Sequence, residues 1–304
     1  MTRLVNTFSH HCRDRYGEAV GKLPLDLGIP CPNRLRGGCT FCRPEGFTAG
    51  FLTAEDSLSV QIEKGKRILL KGRFHRYFAY FQQESCTALD PSLLLEHCGR
   101  LLDDDACVGL ILSTRPDLVP DSLLEPLAEL VRCRGKSGLL ELGLQSTLQR
   151  SLDALNRNHT VEDFFSALTR IHRHPPLECG AHLIFGIPGE SEAEMIAGVE
   201  MVCAAGVDAL KLHHLQVVKG TPLARQYARQ PFPLFSHEDC VNFLLRLLPR
   251  IPQRVVLHRL FSTTHPQLLI APRWNIPAAE LSREVTEGLH LAGLAQGALA
   301  VGEE

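Results

Sequence analysis

Short β-type runs alternate with longer stretches whose apolar residues recur at helical spacing, and the alternation continues from residue 23 to residue 215. The strand-like runs are 23–29, 77–82, 108–113, 139–144, 181–185 and 209–215. Between them lie helical patterns at 54–70, with Thr53 as N-cap, at 91–102, after Pro120-Asp121, and at 148–155, 161–171 and 191–205. Six strand-then-helix units in series predict a parallel sheet with right-handed crossovers. The fold class expected is α/β, a partial (β/α)6 barrel of the TIM type with a small C-terminal extension. In such a fold, chemistry is sought at the C-terminal strand ends.

Prolines at 231, 233 and 252 end the alternation. The organisation expected is an N-terminal segment at 1–20, a barrel at 21–250 and an extension at 251–304 packed on it. That last stretch holds a β-type run (RVVLHRLF), an apolar run (LLIAPRW) and a helical pattern at 278–292, too little for an independent domain. With 44% hydrophobic and 22% charged residues, the 304-residue chain is neither disordered nor fibrous. Its 11 cysteines are odd in number and too dilute for a disulfide scaffold. No signal-peptide pattern and no run of about 18 apolar residues is evident. A cytoplasmic protein with reduced thiols and no membrane span is expected.

Cys31, Cys39 and Cys42 stand in C-x7-C-x2-C spacing within the loop after the first strand (CPNRLRGGCTFC). Gly37 and Gly38 let the backbone fold around a compact inorganic body. Two metal groups suit such a loop. Structural zinc wants four protein ligands, and His10, His11 or Cys12 can supply the fourth. A [4Fe–4S] cluster held by three thiolates leaves one iron open to a small chelating molecule. The remaining cysteines are dispersed and form no second cluster motif; of these, Cys86, shortly after the second strand, has the position most open to a role.

Gly186 and Gly189 flank Ile187-Pro188 in a tight turn after the fifth strand, where bare backbone can approach a flat ligand such as adenine. Lys211 and His213 alternate onto one face of the sixth strand, Leu212 and His214 onto the other. A polar side chain facing the barrel mouth suits substrate binding or proton transfer, which makes Lys211 and His213 the catalytic candidates. Arg115 and Asp117 have either a mutual ion pair or a cofactor contact open to them.

These motifs together resemble the radical S-adenosylmethionine (SAM) superfamily, in which a three-cysteine cluster after the first barrel strand binds SAM. Phe41 stands before the last cysteine, where that family usually has an aromatic residue. The long first gap departs from the superfamily's commonest C-x3-C-x2-C and is similar to the branch containing the elongator catalytic subunit. Ser113-Thr114-Arg115-Pro116-Asp117 resembles that branch's TRPD segment, and ELGLQS at 141–146 its E-x-G-x-Q-S. NRNHT at 156–160 resembles its NRGHT, with Asn158 in place of glycine, and GIPGE at 186–190 its G-x-P-G-E. LKLHHLQVVKGTPLARQY at 210–227, His258-Arg259-Leu260 and Ala271-Pro272-Arg273-Trp274 resemble a short bacterial group related to the elongator subunit but without its acetyltransferase domain.

The resemblance implies that Cys31, Cys39 and Cys42 ligate one [4Fe–4S] cluster, which when reduced splits SAM into methionine and a 5′-deoxyadenosyl radical. It implies SAM contacts at Phe41, Gln82, Thr114, Glu141, Gln145, Arg157, Gly186, Ile187 and Gly189. In the related oxygen-independent coproporphyrinogen oxidases a similarly spaced Gln and Arg contact SAM, the Arg through the carboxylate, as a guanidinium fork suits. A one-electron donor such as flavodoxin or ferredoxin is implied as well. The substrate implied is tRNA, at the wobble-uridine side chain, with a small molecule or peptide as the alternative. A non-catalytic zinc or iron–sulfur RNA-binding protein is the reading from another class.

Charge bears on the RNA reading. Residues 1–76 hold 13 Lys+Arg against 7 Asp+Glu, and the rest 19 against 27, within a chain of net charge −2. Arg3, Arg13, Arg15, Arg34, Arg36 and Arg43 in that basic front are compatible with an RNA phosphate surface. Aromatics are 6% of residues, too few to mark a base-stacking platform.

Overall fold

A computed structural model describes residues 3–53 and 55–300. Ala54, the expected first residue of a helix, and the outermost residues of both terminal segments fall outside it. Seven strands form one parallel sheet in sequence order: β1 (Val20–Leu25), β2 (Arg76–Phe81), β3 (Cys107–Thr114), β4 (Ser137–Gln145), β5 (Leu177–Phe185), β6 (Ala209–His214) and β7 (Val256–Arg259). They curl into a half-barrel. Every residue of β3 and β4 is buried, as parallel strands covered on both faces require.

The helices are α1 (Phe8–Tyr16), α2 (Leu58–Gly65), α3 (Pro91–Leu102), α4 (Asp121–Cys133), α5 (Gln149–Ala154), α6 (Val161–His172), α7 (Glu192–Ala204), α8 (Pro222–Arg229), α9 (His237–Leu247) and α10 (Ala278–Leu291). Those between strands pack on the outer face through one apolar stripe. In α6 the stripe is Phe164, Ala167, Leu168 and Ile171, and a capping box of Thr160 with Asp163 starts the helix. Ser191 with Glu194 does the same for α7.

Three expectations change. The first strand lies at Val20–Leu25 rather than 23–29, which brings Lys22 into the sheet. The helix expected from residue 54 starts at Leu58, because the Ser57 hydroxyl, not Thr53, caps it by accepting from Val60 N–H. The stretch assigned to an extension contributes β7, with Ala209 paired to Val256, so the half-barrel has seven strands where six were expected.

The terminal segments clasp β7. Leu257 N–H donates to Asn6 O at 2.8 Å. Gln296 accepts from Asn6 N–H and donates to Pro252 O and Val255 O, at 2.8 to 2.9 Å. Helix α1 then closes the N-terminal mouth of the half-barrel. Cys12, fully buried, packs with Val20, Phe78, Leu139, Ala209 and Val256, and Tyr16 Oη lies 2.7 Å from Ser137 Oγ. The C-terminal mouth opens onto a cavity. Among the described residues, no helix is long and apolar enough to cross a membrane.

Candidate functional site

At the open mouth, the β1–α2 loop brings three thiols to one cavity. A 3-10 turn over Pro32–Arg36 follows Cys31, and Gly37 and Gly38 (φ 90° and 71°) reverse the chain so that Cys39 and Cys42 line the same space as Cys31. The loop is tied to its surroundings. Buried Asn33 donates to Cys39 Sγ at 3.2 Å and to Asn156 O at 2.8 Å, while Cys31 N–H donates to Glu84 Oε2 at 3.1 Å. Ser85 Oγ lies 3.4 Å from Cys31 Sγ. Arg157 Nη1 donates to Cys39 Sγ at 3.2 Å and Nη2 to Gly143 O at 2.6 Å. Burial first, and then neighbouring Cys39, pushes the Cys42 thiol up to about 12.

The zinc expectation fails on placement. His10, His11 and Cys12 belong to α1 at the opposite mouth, and no group of three His, Cys, Asp or Glu among the described residues is gathered for a single ion. Three thiols facing a cavity, with N–H and O–H donors aimed at two of the sulfurs, fit a larger inorganic body with an open coordination position.

Phe41, Gln82, Thr114, Glu141, Gln145 and Arg157 all line this cavity. Gln145 sits at φ 77° at the end of β4, and a Cβ on Gly143 would lie 2.8 Å from Gln145 Nε2 and 3.0 Å from Arg157 Nη2. Glycine at 143 is what allows these two side chains to cross the strand. Arg115 pairs with Asp117 at 2.9 and 3.1 Å and also lines the cavity, where its Nη1 is buried without a partner among the described residues. Gly186 and Gly189 form the expected turn (φ 79° and 90°), but neither they nor Ile187 line the cavity. Gly186 faces Phe235, and Ile187 packs with Leu155, Ile184 and Leu215. Cys86 is a buried core residue that does not line the cavity, although its neighbour Ser85 does.

Lys211 and His213 project into the cavity, as strand alternation predicts, but His214, expected on the other face at the strand's end, lines it as well. What sequence reasoning missed is the layer beneath. Glu141, 1% exposed, receives hydrogen bonds at Oε2 from Tyr80 Oη (2.9 Å) and Ser113 Oγ (3.1 Å), with His182 Nε2 at 2.9 Å and Lys211 Nζ at 3.3 Å. Its Oε1 lies 2.9 Å from His258 Nδ1 and 3.8 Å from Lys22 Nζ. Six of the seven strands thus send polar side chains to the remaining one's carboxylate. Burial alone would raise the Glu141 carboxyl, but Lys211, His182 and Lys22 hold it well below the usual carboxylate range. Burial lowers Lys22 to about 7, and His182 and His258 to about 4 and about 3. The layer is a neutralised polar floor below the thiols.

The arginines of the basic front do not form one surface. Arg13 and Arg15 are on α1, and Arg34, Arg36 and Arg43 are on the cysteine loop. Arg3 pairs with Asp14, Arg15 with Glu178, Arg34 with Glu84 and Arg43 with Glu45.

Comparison with known proteins agrees with this architecture. Residues 207–290 match the family described as Radical_SAM C-terminal domain. Protein YhcC of Escherichia coli K12 is 35% identical over 280 residues, covering 90% of this chain and 88% of that protein. A tRNA uridine(34) acetyltransferase of Methanocaldococcus infernus is 28% identical over 141 residues, 45% of this chain and 25% of that one. The solved structure of Methanocaldococcus infernus Elp3 with an N-terminal deletion superposes with a TM-score of 0.67 at 18% identity, over 91% of this chain and 64% of that one. The chain therefore belongs to the radical SAM superfamily, in the family that includes YhcC.

Proposed function

We propose that Cys31, Cys39 and Cys42 hold a single [4Fe–4S] cluster, that SAM binds beside it against Phe41, Gln82, Thr114, Gln145 and Arg157, and that the enzyme generates a 5′-deoxyadenosyl radical in this cavity. The observation that carries the reading is the convergence of three thiols on one cavity with Arg157 donating to Cys39 Sγ at 3.2 Å. When bound, the reduced cluster supplies one electron that cleaves SAM and releases methionine. The chain's own residues do the rest. Asn33, Ser85 and Arg157 orient and polarise the sulfurs, and Arg157 offers a guanidinium to the cosubstrate carboxylate. Lys211 and His213 meet the substrate, with the Glu141 layer fixing Lys211 from below. Ile187, in the turn made by Gly186 and Gly189, packs against the cavity-lining Ile184 and so supports the cofactor side from behind.

The substrate we assign is tRNA at the wobble-uridine side chain, in the cytoplasm, with a flavodoxin or ferredoxin as electron donor. Similarity to a tRNA uridine(34) acetyltransferase over 141 residues supports this. A second reading, a small-molecule or peptide substrate, is favoured by the ion pairing of Arg3, Arg15, Arg34 and Arg43, which leaves less free positive charge for RNA.

Anaerobic reconstitution tests the chemistry: a brown protein that cleaves SAM when reduced is expected, and a colourless protein with stoichiometric zinc overturns it. Mass spectrometry of tRNA nucleosides from cells with and without the gene tests the substrate. An unchanged wobble-uridine profile in a host that makes the precursor rejects tRNA in favour of the second reading.

A further inference from the structure

The cavity carries more positive charge than it has carboxylates to pair. Of the cations that line it, Lys211 is paired with Glu141, Arg43 with Glu45 and Arg115 with Asp117. Arg157 donates to Gly143 O and Cys39 Sγ and is the guanidinium already assigned to the cosubstrate carboxylate. Arg115 keeps one buried nitrogen, Nη1, without a partner, whereas Arg259 has none of its nitrogens partnered among the described residues. It is the last residue of β7, lies in register beside Lys211 of β6 and lines the cavity, yet among the described residues it makes no hydrogen bond or ion pair. His213, two residues along β6 from Lys211, faces the same space, and its Nε2 is buried without a partner. Thr263, an exposed residue in the loop that follows β7, also lines the cavity.

Buried polar groups left without partners are rare, and each such group is costly unless a ligand or water satisfies it. On this wall the buried orphan is His213 Nε2, and the half-buried Arg259 guanidinium and the exposed Thr263 hydroxyl line the same cavity and can share its ligand. A guanidinium presents parallel N–H donors, an imidazole one N–H and a threonine one O–H, and the ligand these donors match is an oxyanion. The wall is separate from Arg157, which follows α5 on the other side of β5.

We propose that Arg259, His213 and Thr263 form an oxyanion subsite that holds a carboxylate or phosphate group of the substrate on the β6–β7 wall. The group binds through the Arg259 fork, with His213 Nε2 and Thr263 Oγ1 donating to its remaining oxygens. Lys211, already held by Glu141 and Tyr80, lies beside it and strengthens the field without being its ligand. This rests on the proposed function only in calling the bound group part of a substrate.

The test is an anaerobic titration of the reconstituted protein with inorganic phosphate and, separately, with acetate, followed by calorimetry with and without saturating SAM. Wild type is expected to bind at least one of the two anions, with affinity unchanged within about twofold by SAM. Arg259→Gln is expected to weaken that binding at least about tenfold, and Arg259→Lys, which keeps the charge but loses the fork, to fall between. Preference for phosphate or for acetate identifies the source of the group. Binding of neither anion to wild type, equal affinity in Arg259→Gln, or complete displacement by SAM overturns the subsite. Because the titration involves no SAM cleavage, its failure in a protein that cleaves SAM rejects the subsite alone. Failure of cleavage in wild type rejects the enzymatic reading and leaves the titration to be judged separately. A circular-dichroism melt of each variant separates lost binding from lost folding.

Discussion

Arg157 Nη1 lies 3.2 Å from Cys39 Sγ while Nη2 of the same guanidinium donates to Gly143 O at 2.6 Å, so one side chain couples the cysteine loop to the end of β4. Lysine in its place keeps the charge but cannot make both contacts. Arg157→Lys is expected to raise the dissociation constant for SAM about tenfold, a loss of about 1.4 kcal/mol. Equilibrium binding to the reconstituted protein measures it, and an unchanged constant would remove Arg157 from the cosubstrate site.

The cysteines separate by environment. Cys39 faces the cavity and accepts from two donors, whereas Cys86 is 3% exposed within the main apolar core. Cys39→Ala should abolish the visible absorption and bound iron of the reconstituted protein. Cys86→Ala should keep both, with at most about 1–2 kcal/mol lost from the core. Iron and sulfide analysis of the two variants decides the assignment, and full iron content in Cys39→Ala would defeat it.

How much of this was legible in the sequence depended on which signal carried it. The strand series and the cysteine loop stood out because parallel strands read as apolar runs and three clustered thiols have few structural uses. Lys211 and His213 were reached by alternation along one correctly placed strand. Lys22 was not, because the apolar run began at Leu23 and the sheet begins at Val20. Tyr80 and His182 have the right parity in their strands, but nothing local says that the inward face meets a carboxylate from β4. That is a property of closure, visible only once β1 and β7 approach, with Lys22 Nζ 2.9 Å from His258 Nδ1. Pairing of β7 with β6 was hidden for a similar reason: the strand is four residues long, and α8 and α9 separate it from β6.

Glu141 is the carboxylate on which the polar floor depends. Removing its charge leaves Lys211 buried beside Tyr80 and Lys22 beside His258 without compensation. Glu141→Gln is expected to lower the unfolding free energy by about 3–5 kcal/mol. Adding Lys211→Met should restore part of the loss, because it removes one of the stranded charges. Urea denaturation of the two single variants and the double variant measures the coupling. A Glu141→Gln effect below about 1 kcal/mol, or an additive double variant, would mean that the layer is hydrated rather than closed.

The same layer sets a pH dependence whose sign follows from its histidines. Burial, and after it Lys211 for His182 and Lys22 for His258, lowers these imidazoles from 6.5 to about 4 and about 3. Below pH 6.5 the unfolded chain takes up protons that the folded one refuses, so stability present above that pH is lost as the pH falls toward the folded values. Each histidine contributes a slope of up to about 1.4 kcal/mol per pH unit. Exposed carboxylates also titrate in acid, which makes the interval between about pH 5 and 6.5 the informative one. Denaturation midpoints across it should fall in wild type, and the fall should be shallower in His182→Gln and His258→Gln, each of which removes one titrating group. A slope in both variants equal to that of wild type would assign the acid sensitivity to other groups and show that these two imidazoles already carry their protons in the folded state.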